Sequence, residues 1–179
     1  MSSKRLSKLD APKVLINDEK VMGENDFIVS KTDKKGFITY CNKIFMDMCM
    51  YSESELIGAN HNIIRHPDMP RIAFKLLWDL IKEKKEFFGF VKNLRKDGGF
   101  YWVFANITAS VDTNGNILGY YSVRRKPPKK AIETIEPIYK QLVEVEKTGG
   151  MNASYKLLSD FLEDHKTTYQ ELVTSLQDT

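Results

Sequence analysis

Six side chains able to do chemistry crowd into one short string, Asn60-His61-Asn62-Ile63-Ile64-Arg65-His66-Pro67-Asp68-Met69-Pro70. An arginine beside histidines can hold an anionic group such as a phosphate, helped by the free amides at the start of a following helix. Either His61 or His66 could instead bind a metal or haem iron. The same side chains could also do no more than cap helix ends and bond one another. Residue types alone leave these three readings open. For Asp68, just ahead of a helix, capping is as natural a role as ligand contact. Nowhere does a nucleophile stand with a histidine and an orienting third group, and no glycine-rich loop could cradle phosphate. The expectation is a binding module, not an enzyme.

The element that must position this string is a helix over Pro70–Lys84, with proline suited to its first position. At about 100° per residue, Ala73, Phe74, Leu76, Leu77, Trp78, Leu80 and Ile81 spread over about 200° of its surface. Lys75, Asp79, Lys82 and Glu83 fill the remainder. A helix on one sheet needs roughly half that apolar arc, so a second partner is expected: lid helices or a bound ligand. Trp78, at the edge of the arc, is either a core aromatic or the flat wall of a pocket. Asn60–Ile81 is therefore the centre of the candidate pocket.

Around it the chain alternates strand and turn signals. Phe27-Ile28-Val29 and Phe37-Ile38-Thr39-Tyr40 flank a turn containing Gly36. Asn42 can cap a helix over Lys43–Cys49, and Ser52 with Glu55 is in capping-box register for another short turn that Gly58 ends. Strands follow over Phe87–Leu94, Phe100–Val111 and Ile117–Arg125, separated by Lys96-Asp97-Gly98-Gly99 and Asp112-Thr113-Asn114-Gly115-Asn116. This order predicts an α+β fold, one five-stranded antiparallel sheet with short helices on one face. The expected divisions are a lead-in (1–24) with a short cap helix, a sensor domain (25–126) and a C-terminal helical hairpin (127–179) whose two arms meet at Gly149-Gly150. In the second arm Tyr155, Leu158, Leu162, His165, Tyr169, Leu172 and Leu176 make a coiled-coil-like seam, which allows a homodimer. Pro137 is expected to kink the first arm or mark its start.

Composition narrows the partners. The net charge of +3 comes from 27 basic and 24 acidic residues spread along the chain, unlike the one-sided basic face of a nucleic-acid binder. Lys4, Arg5 and Lys8 read as a solvated tail. The N-terminus lacks a signal peptide's apolar stretch, and no apolar run approaches the twenty or so residues that cross a bilayer. Cys41 and Cys49 match no metal pattern, and a reducing compartment fits them.

One resemblance is specific. His61-Asn62-Ile63-Ile64-Arg65-His66-Pro67-Asp68-Met69-Pro70, then Ala73-Phe74 and Trp78, resembles the PAS sensor domain of bacterial aerotaxis receptors. So do Val91-Lys92-Asn93, Tyr101-Trp102-Val103, Ala105-Asn106, Gly119-Tyr120, Ser122-Val123-Arg124 and the segment Ile135–Lys140. The tail Lys147-Thr148-Gly149-Gly150 is similar to the soluble PAS half of the two-protein energy-taxis system of epsilon-proteobacteria. The resemblance implies a PAS fold, noncovalent FAD and a cytoplasmic redox or energy sensor that reports to a membrane-bound methyl-accepting chemotaxis transducer. It also implies that Arg65, His66, Asp68, Trp78 and Asn93 match positions associated with FAD binding, with His61 and Asn62 beside them. A haem-binding PAS sensor and a cofactor-free PAS interaction module are the competing readings.

Overall fold

The computed structural model describes residues 5–179, so Lys4 of the basic cluster lies outside the described residues. Strands β1 (Ile28–Asp33), β2 (Ile38–Cys41), β3 (Phe87–Leu94), β4 (Phe100–Val111) and β5 (Ile117–Arg125) form one antiparallel sheet in the order β2-β1-β5-β4-β3. Its turns are built by aspartates that accept backbone amides: Asp33 from Lys35 and Phe37, Asp112 from Asn114 and Asn116. At the β3–β4 turn Gly98 has φ 95°, and a Cβ there would lie 2.2 Å from the Val14 carbonyl, so no other residue fits.

Helices α1 (Lys43–Cys49), α2 (Glu53–Leu56), a 3-10 turn (His61–Ile64) and α3 (Arg71–Lys82) connect β2 to β3. The Asn42 side chain accepts the amides of Phe45 and Val29 and donates to the Phe27 carbonyl, which caps α1 and ties it to β1. Ser52 and Glu55 form the expected capping box. Pro70 is the cap of α3, so the helix begins one residue later than expected, and Lys84 at φ 61° has already left it.

Alternation along β4 gives the sheet two apolar faces. Tyr101, Val103 and Ala105 face a core with α1, Ile63 and Ile64, while Trp102 and Phe104 join Ile135, Tyr139, Leu142, Leu158 and Val173 of the tail. Each large side chain so buried contributes about 1.5–3 kcal/mol. The short helices thus share the inner face, as expected, and the tail covers the second.

The tail departs from a simple hairpin. Helix α4 (Lys129–Asp164) runs through Pro137 and kinks at Gly150, and a separate α5 (Tyr169–Gln177) follows. The predicted seam is not one continuous stripe. Lys166 at φ 49° ends the helix within it, and Tyr155, its first member, is 55% exposed. The break arises because Thr168 starts α5 with its own capping box to Glu171. The lead-in also differs from the expected cap helix. Beyond a 3-10 turn at Lys8–Asp10 it lies extended along the β3–β4 hairpin, with Ile16 and Lys20 amides donating to Gly98 and Phe100 carbonyls. Lys8 is not merely solvated, since its Nζ donates to the Arg65 carbonyl.

Candidate functional site

The inner face of the sheet, the His61–Ile64 turn and α3 enclose a cavity of about 360 Å³. Its apolar walls are Ile64, Phe74, Leu77, Ile81, Val91 and Ile107, with Trp78 at one side. This volume lies within the range of small-molecule sites, at its lower end. The wide apolar arc of α3 is explained by two neighbours rather than one: Phe74, Leu77, Trp78 and Ile81 face the cavity, while the helix also packs on α4.

Of the seven residues singled out from the sequence, His61, Asn62, Arg65, Trp78 and Asn93 line this cavity. Arg65 pairs with Asn93 across an isolated antiparallel bridge and lays its guanidinium 4.0 Å from the centre of the Phe74 ring. Trp78 meets Tyr120 edge to face at 5.3 Å. His66 and Asp68 do not line the cavity. His66 is buried edge-on against Phe100, 6.0 Å between ring centres, on the outer side of β3. Its Nδ1 accepts the Asp68 amide at 3.1 Å. Burial holds its pKa down to about 4, so Nδ1 keeps a lone pair and makes no ion pair with the Asp68 carboxylate 3.5 Å away. Asp68 instead pairs at 2.7 Å with the buried Lys92 ammonium, which also reaches Glu136 of α4 and lies over the Phe100 ring.

Among the cavity residues not singled out are Ser30, Ser122 and Arg124. Alternation could have found them, because Tyr120, Ser122 and Arg124 share one face of β5, and register places Ser30 opposite Ser122. Arg124 Nη1 lies 3.3 Å from His61 Nε2 and its Nη2 donates to Ser30 Oγ. A guanidinium only donates, so His61 Nε2 is the accepting nitrogen and the ring proton sits on Nδ1. Burial, reinforced by the Arg124 charge, holds His61 down to about 3. Among the described residues, Asn93 Nδ2, Ser122 Oγ and Arg124 Nε are buried without a hydrogen-bond partner. Such groups are rare in folded proteins unless something else meets them. A flat ring with apolar faces and one polar edge has the right chemistry for this wall.

Residues 38–124 match the PAS fold family, and the chain folds as a PAS domain with added helices at its C-terminal end. It is 40% identical over 121 residues to the aerotaxis receptor of Escherichia coli strain K12, an alignment covering 68% of this chain and 24% of that receptor. It is also 28% identical over 97 residues to the nitrogen fixation regulatory protein of Klebsiella pneumoniae, covering 54% of this chain and 20% of that protein. The chain thus spans a quarter or less of these relatives. A solved light-oxygen-voltage domain, studied with a flavin analogue, superposes with a TM-score of 0.55 at 22% identity, over 64% of this chain and 86% of that one. That likeness shows the fold.

Proposed function

We propose that this chain binds FAD in the cavity and acts, without catalysis, as a redox or energy sensor for a membrane-bound chemotaxis transducer. One observation carries the reading: three unpartnered polar atoms stand on the sheet wall of a cavity of about 360 Å³, facing the apolar side chains that α3 contributes. Bound there, a flavin would supply a ring whose charge and hydrogen-bonding pattern change on reduction. Asn93 and Ser122 would meet its polar edge, Trp78 and Phe74 would offer it flat apolar surface, and Arg65 would supply a positive charge for its phosphates.

Leaving a buried polar group unpaired costs about 1–3 kcal/mol. Re-pairing at Asn93 or Ser122 could therefore shift a two-state equilibrium about tenfold or more. Two paths lead from the cavity to the tail. Strand β4 carries inward Tyr101 and Val103 alternating with outward Trp102 and Phe104, and α3 is held at its start by Glu146 of α4. Similarity to the aerotaxis receptor supports the chemotaxis role. Among the described residues no helix is long and apolar enough to cross a membrane.

A haem reading has less support. His66 does not line the cavity, and the accepting nitrogen of His61 is already engaged by Arg124. The absorbance of freshly purified protein tests the proposal. A flavin spectrum with FAD released on denaturation is expected; a Soret band, or a colourless chain that gains no flavin on reconstitution, overturns it.

A further inference from the structure

At the floor of the cavity stands a positive charge that no acid among the described residues balances. Arg124 is 2% exposed. On β5 it pairs with Ile28 on one side and Ala105 on the other, so its side chain projects inward between α1 and the cavity. Buried arginines ordinarily sit against carboxylates, because a charge removed from water needs an opposite charge or a full set of hydrogen bonds. Among the described residues, no Asp or Glu pairs with this one. Its contacts are neutral: Ser30 Oγ, His61 Nε2, and the Phe45 ring 4.5 Å from its central carbon. Nε has no partner among the described residues. The ionisable groups whose fields reach it are Tyr101 and Cys49. Burial keeps both protonated, the thiol at about 11 and the phenol well above its usual range. Burial lowers Arg124 itself to about 10, which leaves it charged at neutral pH.

We infer that Arg124 sets the charge preference of this site: the cavity takes a planar ring that is anionic, or becomes anionic on accepting an electron, and the guanidinium holds that form. The redox part rests on the flavin reading. There, one electron passes from an external one-electron reductant to the ring, the reductant is oxidised by one electron, and no proton is taken up. The added negative charge on the ring is met by Arg124. With opposite charges a few ångströms apart in a partly dry site, the preference for the anionic form is on the order of a hundredfold. At 59 mV per tenfold for one electron, that is about 120 mV.

The full-length chain, Arg124→Gln and Arg124→Lys are purified and their flavin measured after denaturation. Reductive titration against reference dyes then reads the potential of the first electron. Arg124→Gln is expected to lower it by about 60–120 mV, and Arg124→Lys to recover at least half of that shift. A flavin-loaded Arg124→Gln with an unchanged potential overturns the inference. Should that variant fail to fold or load, the wild type alone decides. Its first potential is expected to be flat from about pH 6 to 8, and a fall of about 59 mV per pH unit, the mark of a proton arriving with the electron, overturns it. A chain that carries no flavin refutes the flavin reading separately. Charge preference is then read with naphthalene-2-sulfonate against naphthalene-2-sulfonamide. Wild type is expected to favour the anion at least tenfold and Arg124→Gln to lose this; equal affinities in the wild type overturn the inference.

Discussion

Arg65 and His66 are neighbours in sequence, yet Arg65 lines the cavity while His66 packs against Phe100 on the outer side of β3. Asp68 lies beyond His66, where its carboxylate and that of Glu136 flank the buried ammonium of Lys92. Burial raises the Asp68 pKa, but the hydrogen bond and charge of Lys92 outweigh this and leave it below its ordinary value. The His66–Asp68 pair thus supports the cavity from outside, through β3, next to Asn93. Asp68→Asn is expected to cost about 1 kcal/mol, a small figure because the carboxylate is half exposed. The urea midpoint at constant m-value measures it. The two histidines add a pH dependence. Both have folded pKa values below the ordinary 6.5, about 3 for His61 and about 4 for His66, so the unfolded chain binds more protons in between. Their contribution is complete above pH 6.5 and falls away from there toward pH 4. Unfolding midpoints between pH 7 and 4.5 are expected to drop, and His61→Gln to flatten the drop; an unchanged slope in that variant removes His61 from the explanation.

At the scale of elements, α3 begins without a side-chain cap of its own, since Pro70 offers none. The cap comes from the tail: Glu146 accepts the amides of Arg71 at 2.9 Å and Ile72 at 3.0 Å, and Ser154 donates to the same carboxylate at 2.8 Å. An anion at the positive end of a helix, satisfying two free amides, contributes about 1–2 kcal/mol. Glu146→Ala is expected to lose that amount and to speed hydrogen exchange first at Ile72 and Ala73. Uniform loss of protection across the sheet would instead mean that Glu146 acts only in general packing. This contact also marks the limit of what sequence could disclose. The bounds of β3, β4, β5 and α1 follow from period-two alternation, Asp-Gly turns and a local Asn cap, all signals within a few residues. The string from Asn60 stood out by composition, yet only geometry separates Asn62 and Arg65, which line the cavity, from His66 and Asp68, which do not. The Glu146 cap joins residues 75 apart and leaves no local trace. The seam misled because Tyr155 to Leu176 keeps helical spacing across a break; Thr168 and Glu171, three apart, were the legible signal that a new helix starts there.

Across the whole molecule, one residue decides whether the tail returns to the sheet. Gly150 sits at φ 67°, ψ −167°, a combination open essentially to glycine alone, and nothing lies within 4 Å of where a Cβ would be. The strain of a substitution there is purely of the backbone. The turn it permits brings Ser154 back to Glu146, Leu158 into the outer core, and α5 to the free edge of β3. At that edge the Gln170 amide accepts from the Phe88 N–H and donates to the Glu86 carbonyl, as a neighbouring strand would. The Tyr139 and Tyr169 hydroxyls meet at 2.7 Å, and Tyr139 donates to the Phe90 carbonyl. Gly150→Ala is expected to destabilise the docked tail by about 1–3 kcal/mol. Protease cleavage should then rise between Gly150 and Thr168, while β4 and β5 keep their exchange protection. If the tail is the arm that reports the state of the cavity, the same variant should also weaken the difference in cleavage between oxidised and reduced protein. An unchanged difference would place the output on another surface, and equal loss of protection in tail and sheet would show that the two unfold as one unit.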